Sequence, residues 1–168
     1  MGQTPHLRFK ERSMEYKWDI RFLQLAKLVS TWSKIPSTQV GACIVRPDKS
    51  VCAVGFNGFA KSMNDDASLY SNRETKYSRI IHGEINALLF AREPVQGYTL
   101  YTWPFLPCDR CCVQMLQAGI IRFVAPALEG DAVKRWQESL DRTKSYISEA
   151  NAEWIEYKEE INNASSRI

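Results

Sequence analysis

Hydrophobic positions change their period along the chain, and each change marks an element. From Trp18 the apolar residues Ile20, Phe22, Leu23, Leu25, Ala26, Leu28 and Val29 recur at helical spacing. They predict a first helix to about Lys34, closed by Pro36. Residues 38–45 and 51–59 are rich in β-branched and apolar side chains. Arg46-Pro47-Asp48-Lys49-Ser50 between them is turn chemistry, so the two runs predict an antiparallel hairpin. Residues 60–80 lose periodicity and read as one long polar loop. A loop of that length in a compact domain is usually functional or disordered. Helical patterns over 81–92, 108–118 and 131–150 then alternate with strand patterns over 97–103, 120–125 and 153–157. Gly119 ends the second of these helices.

Strands alternating with helices predict an α/β layered domain, with a central mixed sheet of about five strands flanked by helices. The expected organisation is a polar arm over 1–17, one domain over 18–160 and a tail over 161–168. At 168 residues the chain is long enough for one sizeable core. It holds no internal repeat and no low-complexity segment.

Charge and cysteine content narrow the partners. A net charge of +3 suits an anionic small molecule and does not demand nucleic acid. Five cysteines, an odd number, point to a reducing compartment. No apolar run is long enough for a signal peptide or a membrane span. Met1-Gly2 suggests an acylation signal, but His6 stands where that motif needs Ser or Thr. The expected setting is therefore the cytoplasm, without a membrane.

The candidate chemistry sits between positions 81 and 111. His82-Gly83-Glu84 opens one predicted helix, and Pro107-Cys108-Asp109-Arg110-Cys111 opens the next. Cys108 and Cys111 are three residues apart and share a helix face. A helix N-terminus favours their thiolate forms. One imidazole and two thiolates are zinc ligands that leave a fourth position for water. Two other readings compete. Cys-x-x-Cys can be a redox pair, but its surroundings do not resemble a thioredoxin strand and helix. A structural zinc site wants a fourth protein ligand, yet Cys43 and Cys52 lie in predicted strands and Cys112 falls off the shared face. The turn Gly55-Phe56-Asn57-Gly58 is a candidate substrate contact or simply turn chemistry. Lys61, Arg73, Lys76 and Arg79 give the long loop enough charge to meet a phosphate, although each alone is an ordinary surface cation.

His-x-Glu followed by Pro-Cys-x-x-Cys resembles the signature of zinc nucleobase deaminases. Residues 38–45, 55–58, 82–87, 99–101, 107–111 and 117–120 resemble the cytidine deaminase-like superfamily, and most of all its deoxycytidylate (dCMP) deaminase branch. The segment Arg135-Trp136 with Glu138-Ser139 is also similar to that branch. The resemblance implies a three-layer cytidine deaminase-like fold, with Zn²⁺ held by His82, Cys108 and Cys111. It implies Glu84 as the proton carrier in hydrolytic removal of the 4-amino group of a cytosine nucleotide. Asn57 is then expected near the sugar, Tyr101 or Trp103 near the base, and Lys61 or Arg73 near a phosphate. Expected partners are a small nucleotide and further copies of the chain in a homo-oligomer. Other free cytosine substrates, a flipped base in nucleic acid and a non-enzymatic zinc role remain the alternatives. Two departures stand out. Gly83 occupies a position usually held by Ala, and residues 103–106 run about one residue longer than the usual pattern.

Overall fold

The computed structural model describes residues 9–158, with side chains from Met14 onward. Residues 1–8, which include His6, and residues 159–168 lie outside the described part, so the expectations for the start of the arm and for the tail rest there.

A hairpin of β1 (Gly41–Val45) and β2 (Val51–Phe56) starts the sheet. It is completed by β5 (Thr99–Trp103), β6 (Arg122–Pro126) and β7 (Glu153–Tyr157), giving the order β2-β1-β5-β6-β7. β1 pairs antiparallel with both β2 and β5, whereas β5, β6 and β7 run parallel. The sheet is therefore mixed, as expected. Strand β1 is buried along its whole length because both faces are covered. Cys43 and Val45 face α1 (Phe9–Ser30), packing with Ile20, Phe22 and Leu23. Ala42 and Ile44 face α3 (Gly83–Phe90), α4 (Asp109–Gln117) and α5 (Ala132–Glu149), packing with Ala87, Met115 and Leu140. Three layers result.

Helix α3 lies unusually close to the sheet. A Cβ on Gly55 of β2 would stand 2.3 Å from the Ala87 nitrogen and 2.4 Å from the Gly83 carbonyl oxygen. Only glycine allows that approach, and it brings the start of α3 onto the strand.

The structure changes three expectations. Helix α1 starts at Phe9, so residues 9–17 extend it rather than forming an arm. Residues 14–17 are Met-Glu-Tyr-Lys, of which all but Tyr16 are strong helix formers. Tyr16 packs edge-on against Tyr157 at 5.4 Å. The same helix stops at Ser30, short of Lys34, where Ser30 and Thr31 hydroxyls donate to the carbonyls of Lys27 and Leu28. Such side-chain bonds compete with helix continuation. The long polar loop is also structured. It contains a 3-10 turn at Ala67–Tyr70 and α2 (Arg73–Arg79), with the Asn72 side chain accepting from the Thr75 N–H at 2.9 Å. Helix α2 buries no residue, so it has no apolar stripe to betray it. Short strands β3 (Gly58–Phe59) and β4 (Ile80–Ile81) pair antiparallel and close the base of this excursion.

A buried ion pair locks α1 to the sheet. Asp19 is fully buried and receives both terminal nitrogens of Arg122 at 2.7 Å. The hydroxyls of Tyr101 and Tyr157 donate to the same carboxylate at 2.7 and 2.6 Å. One residue thus ties α1, β5, β6 and β7 together.

Candidate active site

His82 and Cys108 each occupy the residue just before a helix, α3 and α4 respectively, with extended backbone. Cys111 lies in the first turn of α4. The two helix starts converge, so residues 26 to 29 positions apart in sequence meet: His82 Nδ1 is 3.6 Å from Cys108 Sγ and 3.2 Å from Cys111 Sγ. All three ligand atoms lie within 4.8 Å of one another. Cys111 donates to Cys108, which with His82 holds the Cys108 thiol down to about 4 and pushes Cys111 up. The Cys108 sulfur in turn raises His82. One imidazole and two thiols suit zinc, and their closeness lets a single ion reach all three.

Glu84 completes the group from the first turn of α3. It is 4% exposed, and its Oε2 is buried without a hydrogen-bond partner. Burial raises its carboxyl above the ordinary range, against the lowering pull of His82. A carboxyl left unpaired in a dry site costs stability. That cost is expected where the carboxyl must serve a ligand or water. The orphaned oxygen and the donor set together fit a zinc ion with a reacting water.

Helix α5 holds the start of α4 in place. Asp109 accepts from Ser139 Oγ at 2.8 Å and from Arg142 Nε at 2.8 Å, and its N–H donates to Ser139 Oγ. Thr143 Oγ1 donates to the Pro107 carbonyl at 2.8 Å. Sequence reasoning did not assign Arg142 or Thr143 to the site, because each acts through the backbone or side chain of a ligand's neighbour. Gly83, where the resembling family usually has Ala, is closely surrounded. A Cβ there would meet Val40 at 3.2 Å and the Phe56 Cα at 3.3 Å, so alanine fits only if Val40 gives way.

A cavity of about 60 Å³ opens beside His82, Glu84 and Cys108, walled by Thr38, Phe105 and Trp136. The expected substrate residues distribute unevenly around it. Asn57 is buried, with its Oδ1 accepting from the Val40 N–H at 2.9 Å and its Nδ2 donating to the Thr38 carbonyl at 2.8 Å. It therefore shapes the wall through residues 38–40. Tyr101 does not reach the cavity: it is fully buried on the α1 side, with its hydroxyl on Asp19. Strand alternation decides this, since Tyr101 pairs with Cys43 and shares its face. Trp103 borders an adjoining groove of about 300 Å³ rather than the cavity, with Lys27 Nζ 4.9 Å from its ring. Lys61 is exposed, lies over the Phe90 ring and does not line the cavity. Arg73 does not line the cavity and stands 5.3 Å from the Tyr77 ring. The cations on the lining are instead Lys76 and Arg135.

The chain matches the family described as the cytidine and deoxycytidylate deaminase zinc-binding region over residues 16–127. It is 39% identical over 141 residues to an uncharacterized deaminase in the luxG 3' region of Aliivibrio fischeri, covering 83% of this chain and 94% of that one. It is 34% identical over 117 residues to the deoxycytidylate deaminase of Mus musculus, covering 66% of this chain and 65% of that one. The fold matches dCMP deaminase from the cyanophage S-TIM5 with a TM-score of 0.66 at 22% identity, over 84% of this chain and 98% of that one. With a matching fold, a His-Cys-Cys group and a buried glutamate at two facing helix starts, the chain belongs to the zinc-binding cytidine and deoxycytidylate deaminase family and is a hydrolytic deaminase.

Proposed function

We propose that this protein removes the 4-amino group from a free cytosine nucleotide, dCMP before others, giving dUMP and ammonia. The observation that carries the reading is the buried Glu84 carboxyl, its Oε2 unpartnered, beside the His82, Cys108 and Cys111 group in a cavity with Lys76 and Arg135 on its walls. The similarity to mouse deoxycytidylate deaminase supports the nucleotide class, and the related cyanophage enzyme has been crystallised with dCMP and dUMP.

His82, Cys108 and Cys111 hold the metal. Zinc bound there supplies Lewis-acid activation of the attacking water. Glu84 takes a proton from that water and hands it to ring N3, while a C4–O bond forms. Glu84 then takes the proton of the new C4 hydroxyl and delivers it to the 4-amino nitrogen, so that C4=O forms as the C4–N bond breaks and ammonia leaves. Burial, which raises the Glu84 carboxyl, makes it a more willing proton acceptor than an exposed glutamate. Asn57 supports the sugar side by holding residues 38–40. Exposed Leu28, Trp32, Leu89 and Phe90 suit the expected homo-oligomer.

Ammonia release from dCMP, dCTP, CMP, cytidine, deoxycytidine and a cytosine oligonucleotide tests the reading. The highest kcat/KM should fall on dCMP; a preference for the oligonucleotide would replace the small-molecule assignment. For the metal, elemental analysis of purified protein should give one zinc per chain, and Cys108→Ala should lose most of it. Full zinc occupancy in that variant would remove Cys108 from the ligand set.

A further inference from the structure

The cavity beside Glu84 is open to the surface and adjoins the larger groove at Thr38 and Phe105. Its volume of about 60 Å³ leaves room for only a small part of a ligand, so the phosphate of a nucleotide falls at the mouth. Helix α2 forms one side of that mouth and is lightly held. It buries no residue. Among the described residues, two side-chain hydrogen bonds tie it to the rest of the chain. Arg135 of α5 donates to the Tyr77 hydroxyl at 3.0 Å, and Lys76 Nζ lies 3.4 Å from Ser37 Oγ.

The charge around this tie is unbalanced. The Arg73 guanidinium and the Lys76 ammonium each stand 5.3 Å from the Tyr77 ring, and Arg135 sits at its hydroxyl. None of these three cations is in a salt bridge with a described carboxylate. Arg135 also stacks 5.3 Å from the Trp136 ring, which fixes its guanidinium at the lip. Two of them, Lys76 and Arg135, line the mouth with no carboxylate among the described residues to balance them. A guanidinium binds phosphate oxygens more strongly than it binds a phenol, because both partners are then charged.

We propose that Tyr77 and Arg135 form a latch across the mouth, and that Arg135 trades the tyrosine hydroxyl for the 5′-phosphate of the incoming nucleotide. This rests on the nucleotide reading above. Arg135, with Lys76 beside it, becomes the specificity-determining residue that separates a nucleotide from its uncharged nucleoside. Tyr77 holds α2 closed until the phosphate takes its partner away. Lys61 and Arg73, the cations expected from the sequence, stand behind or outside this exchange.

The two members of the latch predict opposite results in the zinc-loaded enzyme. Arg135→Ala should cut the ratio of kcat/KM for dCMP over deoxycytidine by roughly ten- to a hundredfold, chiefly through KM for dCMP. Arg135→Lys should recover part of the ratio, since charge remains while the fork is lost. Tyr77→Phe removes the bond that the phosphate must displace, so KM for dCMP should fall. Equal losses on both substrates in Arg135→Ala would make the arginine structural. A KM for dCMP that is unchanged or raised in Tyr77→Phe would abolish the latch. If the wild-type enzyme itself prefers deoxycytidine, the nucleotide reading fails and the latch with it. If it prefers dCMP and Arg135→Ala keeps that preference, the latch alone fails.

Discussion

Glu84→Gln is expected to lose turnover by roughly a hundred- to ten-thousandfold, with zinc content and product affinity held at the wild-type level. The amide keeps the shape of the carboxyl and cannot shuttle a proton. Glutamine also relieves the cost of a titratable group that is 4% exposed and has an unpaired oxygen, so the variant should unfold no earlier than the wild type. Three readings check this: steady-state ammonia release, zinc by elemental analysis and the thermal midpoint. Turnover within a few-fold of wild type would assign the proton to a different group. Loss of zinc alongside activity would place Glu84 in metal retention instead.

The second large effect lies far from the chemistry. Asp19→Ala should destabilise the fold by roughly 3–5 kcal/mol, the usual cost of removing one partner from a buried ion pair. The loss strands the Arg122 guanidinium and the hydroxyls of Tyr101 and Tyr157, all of which converge on the missing carboxylate. Arg122 keeps partial outlets through its Nε bond to Glu153 at 3.0 Å, a longer contact with Glu15 at 3.9 Å and a bond to the Tyr101 hydroxyl at 3.3 Å. Tyr157→Phe removes one hydrogen bond from the same centre and should cost only about 1 kcal/mol. Denaturant midpoints of the two variants measure the contrast. A cost below about 1 kcal/mol for Asp19→Ala would show that packing of Ile20, Phe22 and Leu23 alone secures α1.

Tyr101 shows where sequence reasoning reached its limit. A tyrosine and a tryptophan two residues apart on β5 must share one side of the sheet, but nothing local says which side. The strand is buried on both faces, so the alternation that would mark an inner and an outer side is absent. The pairing of Tyr101 with Cys43 settles it, and the ring is spent on the Asp19 network. Helix α2 escaped notice for a related reason. Periodicity reports only the faces that a helix buries, and this one buries none.

The metal group was legible because its geometry is short-range. His82 and Glu84 are two residues apart at one helix start, and Cys108 and Cys111 share one turn at another. Residue type and spacing alone therefore picked out the group that could hold a metal, and the alternation of strand and helix patterns determined a layered α/β fold with its fifth strand at residues 153–157. Everything that surrounds the group came from folding. Arg135 reaches Tyr77 across 58 residues, Arg142 reaches Asp109 across 33, and Asn57 holds Thr38 across 19. Those distances in sequence close only when α5 docks on α4 and β2 lies beside β1. The tertiary packing thus selected which of several equivalent cations stands at the cavity, because charge is written in the sequence and its position is set by the elements that carry it.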